Sequence, residues 1–345
     1  MKSSKDVTIY DVAKALNISP STVSRGLKDH PHIRKETRNK IKDLANKMGY
    51  QRNKFASSLR KRRTETIGVV VPKLNSYFMA AVIAGMEKIT NQGGYGLIIS
   101  QSQESGKQEK SCISTLFNSR IDGLLISLAY DTENLNHLRM LFNKNIPVVF
   151  FDRVAECSGC MSVVIDNFKA GYEAASHLIG QGCRRIVHLG GNLQRNVYSE
   201  RFRGYRQALA DNGVKYEKDL IIISELNTQA GLEAAHSMIK MKKRPDGIFT
   251  ANDTSAVAVI CELQKAGVQI PEDIAVVGFN NEPVSQVVQP KLTTIDYPAK
   301  EMGEIAAKSL IGILNNSQPA NLSTIVLKHS LIIRESSLKK GYQRC

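Results

Sequence analysis

Apolar positions in this 345-residue chain follow two different periods, and the change falls at Thr66. Before it, they recur at three and four residues, the period of short helices. Val12, Ala13 and Leu16 share one face of a first helix, with Thr8 as its N-cap and Asp11 in the capping-box position three residues on. Asn17, Ile18 and Ser19 form a polar turn. Ser19 suits a second N-cap and Pro20 the first helical position, where a missing N–H costs nothing, so a second helix starts there and buries Val23 and Leu27. A third helix carries Ile41, Leu44, Ala45 and Met48 at helical spacing and stops at Gly49. These three segments predict a helix-turn-helix with a small shared core.

From Thr66 the pattern becomes near-continuous Val/Ile runs separated by amphipathic helices. TIGVVVP, YGLIIS, DGLLIS, PVVFFD, SVVID, RIVHLG, LIII, DGIFTA and IAVVGF read as strands. Helices are expected over 77–91, 106–119, 168–180, 199–212, 228–241, 253–266 and 299–315. Such alternation means parallel sheets covered on both faces, an α/β fold of two doubly wound sheets.

The runs Thr-Ile-Tyr-Asp-Val-Ala and Ser-Pro-Ser-Thr-Val-Ser-Arg, then Thr37-Arg38 and Asn53 through Leu59, resemble the LacI/GalR family of bacterial transcriptional regulators. The resemblance continues to about residue 335. It implies a helix-turn-helix headpiece (1–50), a hinge-helix linker (51–65) and a two-lobed body of the type I periplasmic-binding-protein fold. Its first lobe is expected at 66–163 and 294–318, its second at 164–293 and 319–345, with TIVLKHSLIIR in the second. It also implies a dimeric repressor of catabolic genes. Its partners would be double-stranded operator DNA and a small sugar-like effector, with a purine-type co-repressor as the alternative.

Charge supports the head's role. Residues 1–66 hold 17 Lys and Arg against 6 Asp and Glu, so +11 of the chain's net +15 sits in its first fifth. Around a helix-turn-helix, that excess is best explained by phosphate neutralisation. The exposed face of the second helix, Ser21, Thr22, Ser24 and Arg25, offers short hydroxyls and one guanidinium to a major groove. Thr8, Tyr10, Pro20 and His32 join these as DNA contacts by resemblance. In the linker, Asn53 can cap a short helix presenting Phe55, Ala56 and Leu59. The family uses such a helix to insert a leucine into the minor groove, which implies DNA contacts for Asn53, Ala56 and Leu59. Arg52 and Ser57 depart from the proline and arginine usual there. Arg34 stands where a serine cap is usual for the third helix, so either that cap is made differently or Arg34 meets a phosphate.

In doubly wound sheets ligands bind beyond the carboxyl ends of strands. Polar residues just past the expected strands are Asn75 to Phe78, Asp152 and Arg153, Asp166 and Asn167, Arg195, Arg201, Asn252 and Asp253, and Asn280 and Asn281. Tyr77, Phe78, Asp152, Arg195, Arg201, Asn252 and Asn280 are the candidate effector residues. Asn280 replaces an aspartate common in the family. Asp166 and Asp253 precede helices and can equally be caps.

Enzyme classes find little support. No G-x-G-x-x-G or G-K-[ST] follows an expected strand, no Ser/His/Asp set can be proposed, and no cofactor or metal is implied. His188 lies inside a strand and reads as packed. No stretch approaches the ~20 apolar residues of a membrane span, so a cytoplasmic location is expected. Six scattered cysteines in so large a chain suit reduced thiols better than a disulfide framework. Cys157-Ser-Gly-Cys160 is still a CxxC, whose spacing also fits a redox pair or half of a zinc site.

Overall fold

The computed structural model describes residues 7–50, 63–316 and 323–339, which divide between two compact units, 1–64 and 65–345. The linker segment carrying Asn53, Phe55, Ala56 and Leu59 lies outside the described residues.

The first unit holds α1 (Ile9–Leu16), α2 (Pro20–Gly26) and α3 (Lys35–Lys47). Their ends are set locally. The Thr8 backbone N–H and hydroxyl both donate to Asp11 Oδ2, at 2.8 and 2.6 Å. Asn17 closes α1 in the left-handed region at φ 54°, a conformation asparagine tolerates better than most residues. The Thr22 N–H donates to Ser19 Oγ at 3.1 Å to cap α2, and Pro20 opens that helix. Val12, Ala13, Val23, Ile41 and Ala45 are buried together, with Leu16, Leu27, Leu44 and Met48 packed around them. Arg34 occupies the cap position of α3, and its side chain makes no capping hydrogen bond.

The second unit contains two six-stranded sheets. The first comprises β1 (Thr66–Val71), β2 (Gly96–Gln101), β3 (Gly123–Ile126), β4 (Val148–Phe151), β5 (Met161–Ile165) and β11 (Thr324–Leu327), in the order β11-β5-β4-β3-β1-β2. The second comprises β6 (Ile186–Gly190), β7 (Ile221–Ile223), β8 (Gly247–Thr250), β9 (Ala275–Asn280), β10 (Thr293–Asp296) and β12 (Ser330–Ile332), in the order β12-β10-β9-β8-β6-β7. Pairing is parallel except between β10 and β12. The longer helices are α4 (Tyr77–Gln92), α5 (Gly106–Asn118), α6 (Asn167–Gly180), α7 (Asn196–Asp211), α8 (Thr228–Lys240), α9 (Asp253–Lys265) and α10 (Ala299–Leu314). The central strands β1, β3, β4, β6 and β8 are buried almost throughout, as runs of Val, Ile, Leu and Phe require when both sheet faces are covered. Helices α4 and α10 pack so closely that a Cβ on Gly303 would run into the Val82 carbonyl.

The expected lobe boundaries need three corrections. The strand in SVVID pairs with β4 and stays in the first sheet, so the chain crosses after Ile165 rather than at 163. Thr293–Asp296 pairs with β9 in the second sheet, so the return to the first lobe follows Asp296. TIVLKHSLIIR is split, since Thr324–Leu327 runs parallel to β5 in the first sheet and only Ser330–Ile332 joins the second. Strand–helix alternation locates nine of these twelve strands, misses Thr293–Asp296 and runs β11 and β12 together, and it carries no information about which sheet accepts each one.

Candidate functional site

Two regions bring chemistry-bearing residues together, one in each unit. In the head, Ser21 and Arg25 are exposed on α2, with Thr22 and Ser24 half-exposed beside them. Ser19 Oγ lies 2.7 Å from Ser21 Oγ and 2.8 Å from Thr22 Oγ1, so the start of the helix carries a cluster of three hydroxyls. Tyr10 is 70% exposed, an unusual position for a tyrosine with no packing role. Thr8 and His32 are also exposed and Pro20 is half-buried. Behind them, Lys42 bridges Asp29 at 2.7 Å and Arg38 donates to the Asp29 carbonyl at 3.0 Å, fixing the loop between α2 and α3.

In the body, a cleft of about 880 Å³ opens beyond the carboxyl ends of the strands of both sheets. Asn75 to Phe78 reach it from the segment after β1 and the start of α4, Tyr130 from the segment after β3, and Asp152 and Arg153 from directly after β4. The second lobe adds Tyr198 and Arg201 from α7, Asn252 at the N-cap of α9, and Asn280 and Glu282 at and after β9. Tyr297, just past β10, lies where the lobes meet.

Arg201 is the best-positioned cation. It is 3% exposed, its Nε donates to Asn167 Oδ1 at 2.9 Å and its Nη1 to the Ala251 carbonyl at 3.0 Å. Its guanidinium lies 3.6 Å from the centroid of the Phe279 ring. Burial pulls its pKa down, while the nearby Tyr297, Tyr198 and Asp152 favour the charge. Nη2 has no hydrogen-bond partner among the described residues. Asp152 sits opposite in a left-handed conformation, φ 58°, and accepts from the Tyr297 hydroxyl at 3.0 Å. Burial pushes its carboxyl up, against the attraction of Arg153 and Arg201. Arg153 is already paired, with Glu104 at 2.6 Å and the Tyr198 hydroxyl at 3.1 Å, over the face of Tyr130. Phe78 is buried against Tyr297, ring centroids 4.5 Å apart, while Tyr77 is 56% exposed at the rim.

The remaining candidates separate into lining and supporting residues. Asn252 lines the cleft, but its carboxamide also accepts from Ser255 N at 3.0 Å and donates to the Leu226 carbonyl at 2.6 Å. Asn280 lines it at φ 108°, donating to Glu282 Oε1 at 3.3 Å. Asn167 holds Arg201, and Asp166 caps α6 by accepting from Lys169 N at 2.8 Å. Asn281 ties Asp296 and Arg334. Arg195 is a correction: its Nη2 crosses to the Thr132 carbonyl of the first lobe at 2.6 Å, and it does not line the cleft. It stands at the N-cap of α7, one turn short of the cleft-facing Tyr198. Glu104, Tyr130, Tyr198, Glu282 and Tyr297 line the cleft and are absent from the expected set. Glu104, Tyr130 and Glu282 lie two to four residues beyond the end of an expected strand, so the rule that found Asp152 would have found them, whereas Tyr297 follows β10, a strand that was not expected, and Tyr198 lies inside α7. His188 is packed as expected, among Phe202, Tyr205 and Phe249, and burial pushes its pKa down to about 3.

The cysteine expectation is also corrected. Cys157 and Cys160 are joined in a disulfide, with Cα atoms 5.4 Å apart across a turn in which Gly159 takes φ 80°. Spacing alone fits thiol and disulfide equally. The turn is what brings the sulfurs together. Cys112, Cys183 and Cys261 are free, and no group of three or more metal-ligating side chains occurs among the described residues.

Asp253, the first residue of α9, is a support and not a cap. It is fully buried, receives the Glu282 N–H at 2.7 Å and the Thr294 hydroxyl at 2.6 Å, and its pKa is pushed up to about 8 by burial. A folded-state value above the unfolded one means that the folded protein keeps a proton the unfolded chain has lost. Stability should therefore fall as pH rises from about 4 to about 8 and level off above that. Denaturant titrations at pH 5 and pH 8 check this, with Asp253→Asn expected to flatten the slope.

A helix-turn-helix head joined to a body of two parallel sheets around a cleft is the architecture of a ligand-gated DNA-binding regulator. Residues 8–53 match the model for bacterial regulatory proteins of the lacI family, and 175–337 match the periplasmic binding protein-like domain. The HTH-type transcriptional regulator RegA of Clostridium acetobutylicum is 35% identical over 334 residues, covering 95% of this chain and 98% of RegA. Among solved structures, the transcriptional regulator CelR–cellobiose complex is similar at TM-score 0.72 and 26% identity, over 96% of this chain and 99% of that one. The lac repressor dimer bound to operator and the anti-inducer ONPF shares the fold at TM-score 0.87 and 24% identity, over 97% and 100%. The chain belongs to the lacI family of bacterial regulatory proteins and is a transcriptional regulator that binds DNA. No helix among the described residues is long and apolar enough to cross a membrane.

Proposed function

We propose that this protein acts in the cytoplasm as a homodimeric repressor whose grip on operator DNA is set by a small neutral sugar bound in the cleft. Its work is binding, with no catalytic step. In this reading Ser21, Thr22, Ser24 and Arg25 of α2 enter the major groove. Thr8, Tyr10, Pro20 and His32 steady the head on the backbone, and Asn53, Ala56 and Leu59 contact the minor groove. Tyr77, Phe78, Asp152, Arg201, Asn252 and Asn280 hold the effector, and Arg195 acts only through the contact between the lobes.

The observation that carries the effector reading is the Arg201–Asp152 pair in an aromatic-walled cleft. Sugar hydroxyls both donate and accept. A guanidinium with a free nitrogen facing a buried carboxyl supplies both partners, and Phe78 and Tyr297 supply an apolar surface for a ring face. A cleft of about 880 Å³ has room for one or two sugar rings, and the similar CelR structure holds cellobiose. A panel of mono- and disaccharides, cellobiose included, with purine bases as the contrast, tests this by thermal shift. At a hundred times its dissociation constant, a true ligand stabilises by about 2.7 kcal/mol. A shift with a sugar and none with the purines supports the reading, and a purine-only response overturns it.

A further inference from the structure

The lobe-to-lobe contact beside the cleft includes one feature that effector binding does not require. The nine-residue connection from β4 to β5 begins with Asp152 and Arg153 and contains the Cys157–Cys160 disulfide. Between the two ends, the chain makes a reciprocal clasp with the other lobe. The Val154 N–H donates to Asn196 Oδ1 at 3.0 Å, and Asn196 Nδ2 donates to the Asp152 carbonyl at 3.1 Å. The two cysteines are half-buried against the apolar cluster of the first lobe, together with Val154 and Ala155, while Ser158 and Gly159 between them are exposed. The bridge therefore closes a four-residue ring inside the connection, starting three residues from the clasp, while apolar packing holds the ring against its own lobe, and the exposed turn leaves it open to a thiol in solution.

We infer that Cys157 and Cys160 form a thiol–disulfide switch that sets how firmly the two lobes are clasped beside the cleft. In the oxidised form the ring fixes residues 157–160, which narrows the conformations open to the short segment 154–156 that joins it to the clasp on Asn196. Reduction proceeds by attack of a low-molecular-weight thiolate on one sulfur, giving a mixed disulfide and freeing one cysteine. A second thiol then releases the small molecule as its own disulfide, leaving two protein thiols. Two electrons and two protons pass to the protein, and two small thiols become one disulfide. The reverse reaction uses the same small-molecule couple in its oxidised form. Bridges of this kind inside cells are typically transient and sensing, which fits a pair on an exposed turn better than a structural staple. Freed of the ring, the connection gains backbone freedom and the two clasp hydrogen bonds open more often.

Hydrogen exchange by mass spectrometry on the full-length protein tests this, comparing samples held in oxidised glutathione and in dithiothreitol. Alkylation after unfolding should count two more reactive cysteines in the reduced sample. Reduction should speed exchange of the Val154 amide and of peptides covering 192–199 in the opposite lobe, by roughly 5- to 30-fold, which is what two ordinary hydrogen bonds are worth. Cys157→Ser/Cys160→Ser should exchange like the reduced protein in both buffers. Failure of the pair to oxidise at any glutathione ratio overturns the inference. So does faster exchange confined to 152–161, which would leave the bridge a local staple. The wild-type comparison needs no variant to fold and no knowledge of the effector.

Discussion

Arg201→Ala should abolish the effect of the sugar on operator binding while leaving the affinity of the ligand-free protein for DNA nearly intact. The side chain is held by Asn167 and Ala251 and stacked on Phe279, so its position is fixed before any ligand arrives. Removing it takes away, among the described residues, the one buried cation lining the cleft that is not already committed to a carboxylate, since Arg153 is paired with Glu104. It also leaves the Asn167 and Ala251 oxygens without their donor, at about 1 to 3 kcal/mol each, so the variant should be measurably less stable. Arg201→Lys separates the two effects, because it keeps the charge and loses the planar fork. Operator affinity by fluorescence anisotropy, with and without the sugar, is the measurement. A full response in both variants would remove Arg201 from the site.

Arg25→Ala should lower discrimination between operator and random DNA by about 1 to 3 kcal/mol, the worth of one bidentate guanine contact. Arg25 is exposed on α2, beside the hydroxyls of Ser21, Thr22 and Ser24 and with no ion pair among the described residues. Its guanidinium is free to meet a base edge. The preferred duplex can be obtained by selection from a randomised pool. An unchanged ratio of specific to non-specific affinity would show that Arg25 contacts only phosphate. That outcome would appear as weaker binding to every duplex and a shallower salt dependence.

The head was readable residue by residue because its signals are local. Caps at Thr8 and Ser19, Pro20 at the first helical position and the spacing of Val12, Val23 and Ile41 each act within a few residues or one helix face. The body's helices and nine of its twelve strands were readable for the same reason, and most helix ends agree within one or two residues. Ser199 is the exception, because α7 starts at Asn196. Sheet membership was not readable. The pairings of β5 with β4 and β11 with β5 are decided by partners distant in sequence, and nothing in SVVID or TIVL names them. The cleft divided similarly. Phe78, Asp152, Arg201, Asn252 and Asn280 follow strands or match a family pattern. Tyr198, inside α7, and Tyr297, beyond a strand that the pattern did not show, read as ordinary core aromatics until two lobes are brought face to face. Cys157 and Cys160 were ambiguous because the turn geometry at Gly159, not the spacing, decides whether sulfurs meet.

Coupling between head and cleft has a thermodynamic signature independent of any single residue. A ligand can shift the DNA-binding equilibrium only by its differential affinity for the two arrangements of the lobes, and linkage makes the effect reciprocal. The most direct measurement is a pair of titrations on the unmodified protein: operator affinity with and without saturating sugar, and sugar affinity with and without saturating operator. The two ratios should be equal and lie within about 5- to 150-fold. A sugar that binds the cleft tightly but leaves operator affinity unchanged would show that cleft and head are not coupled.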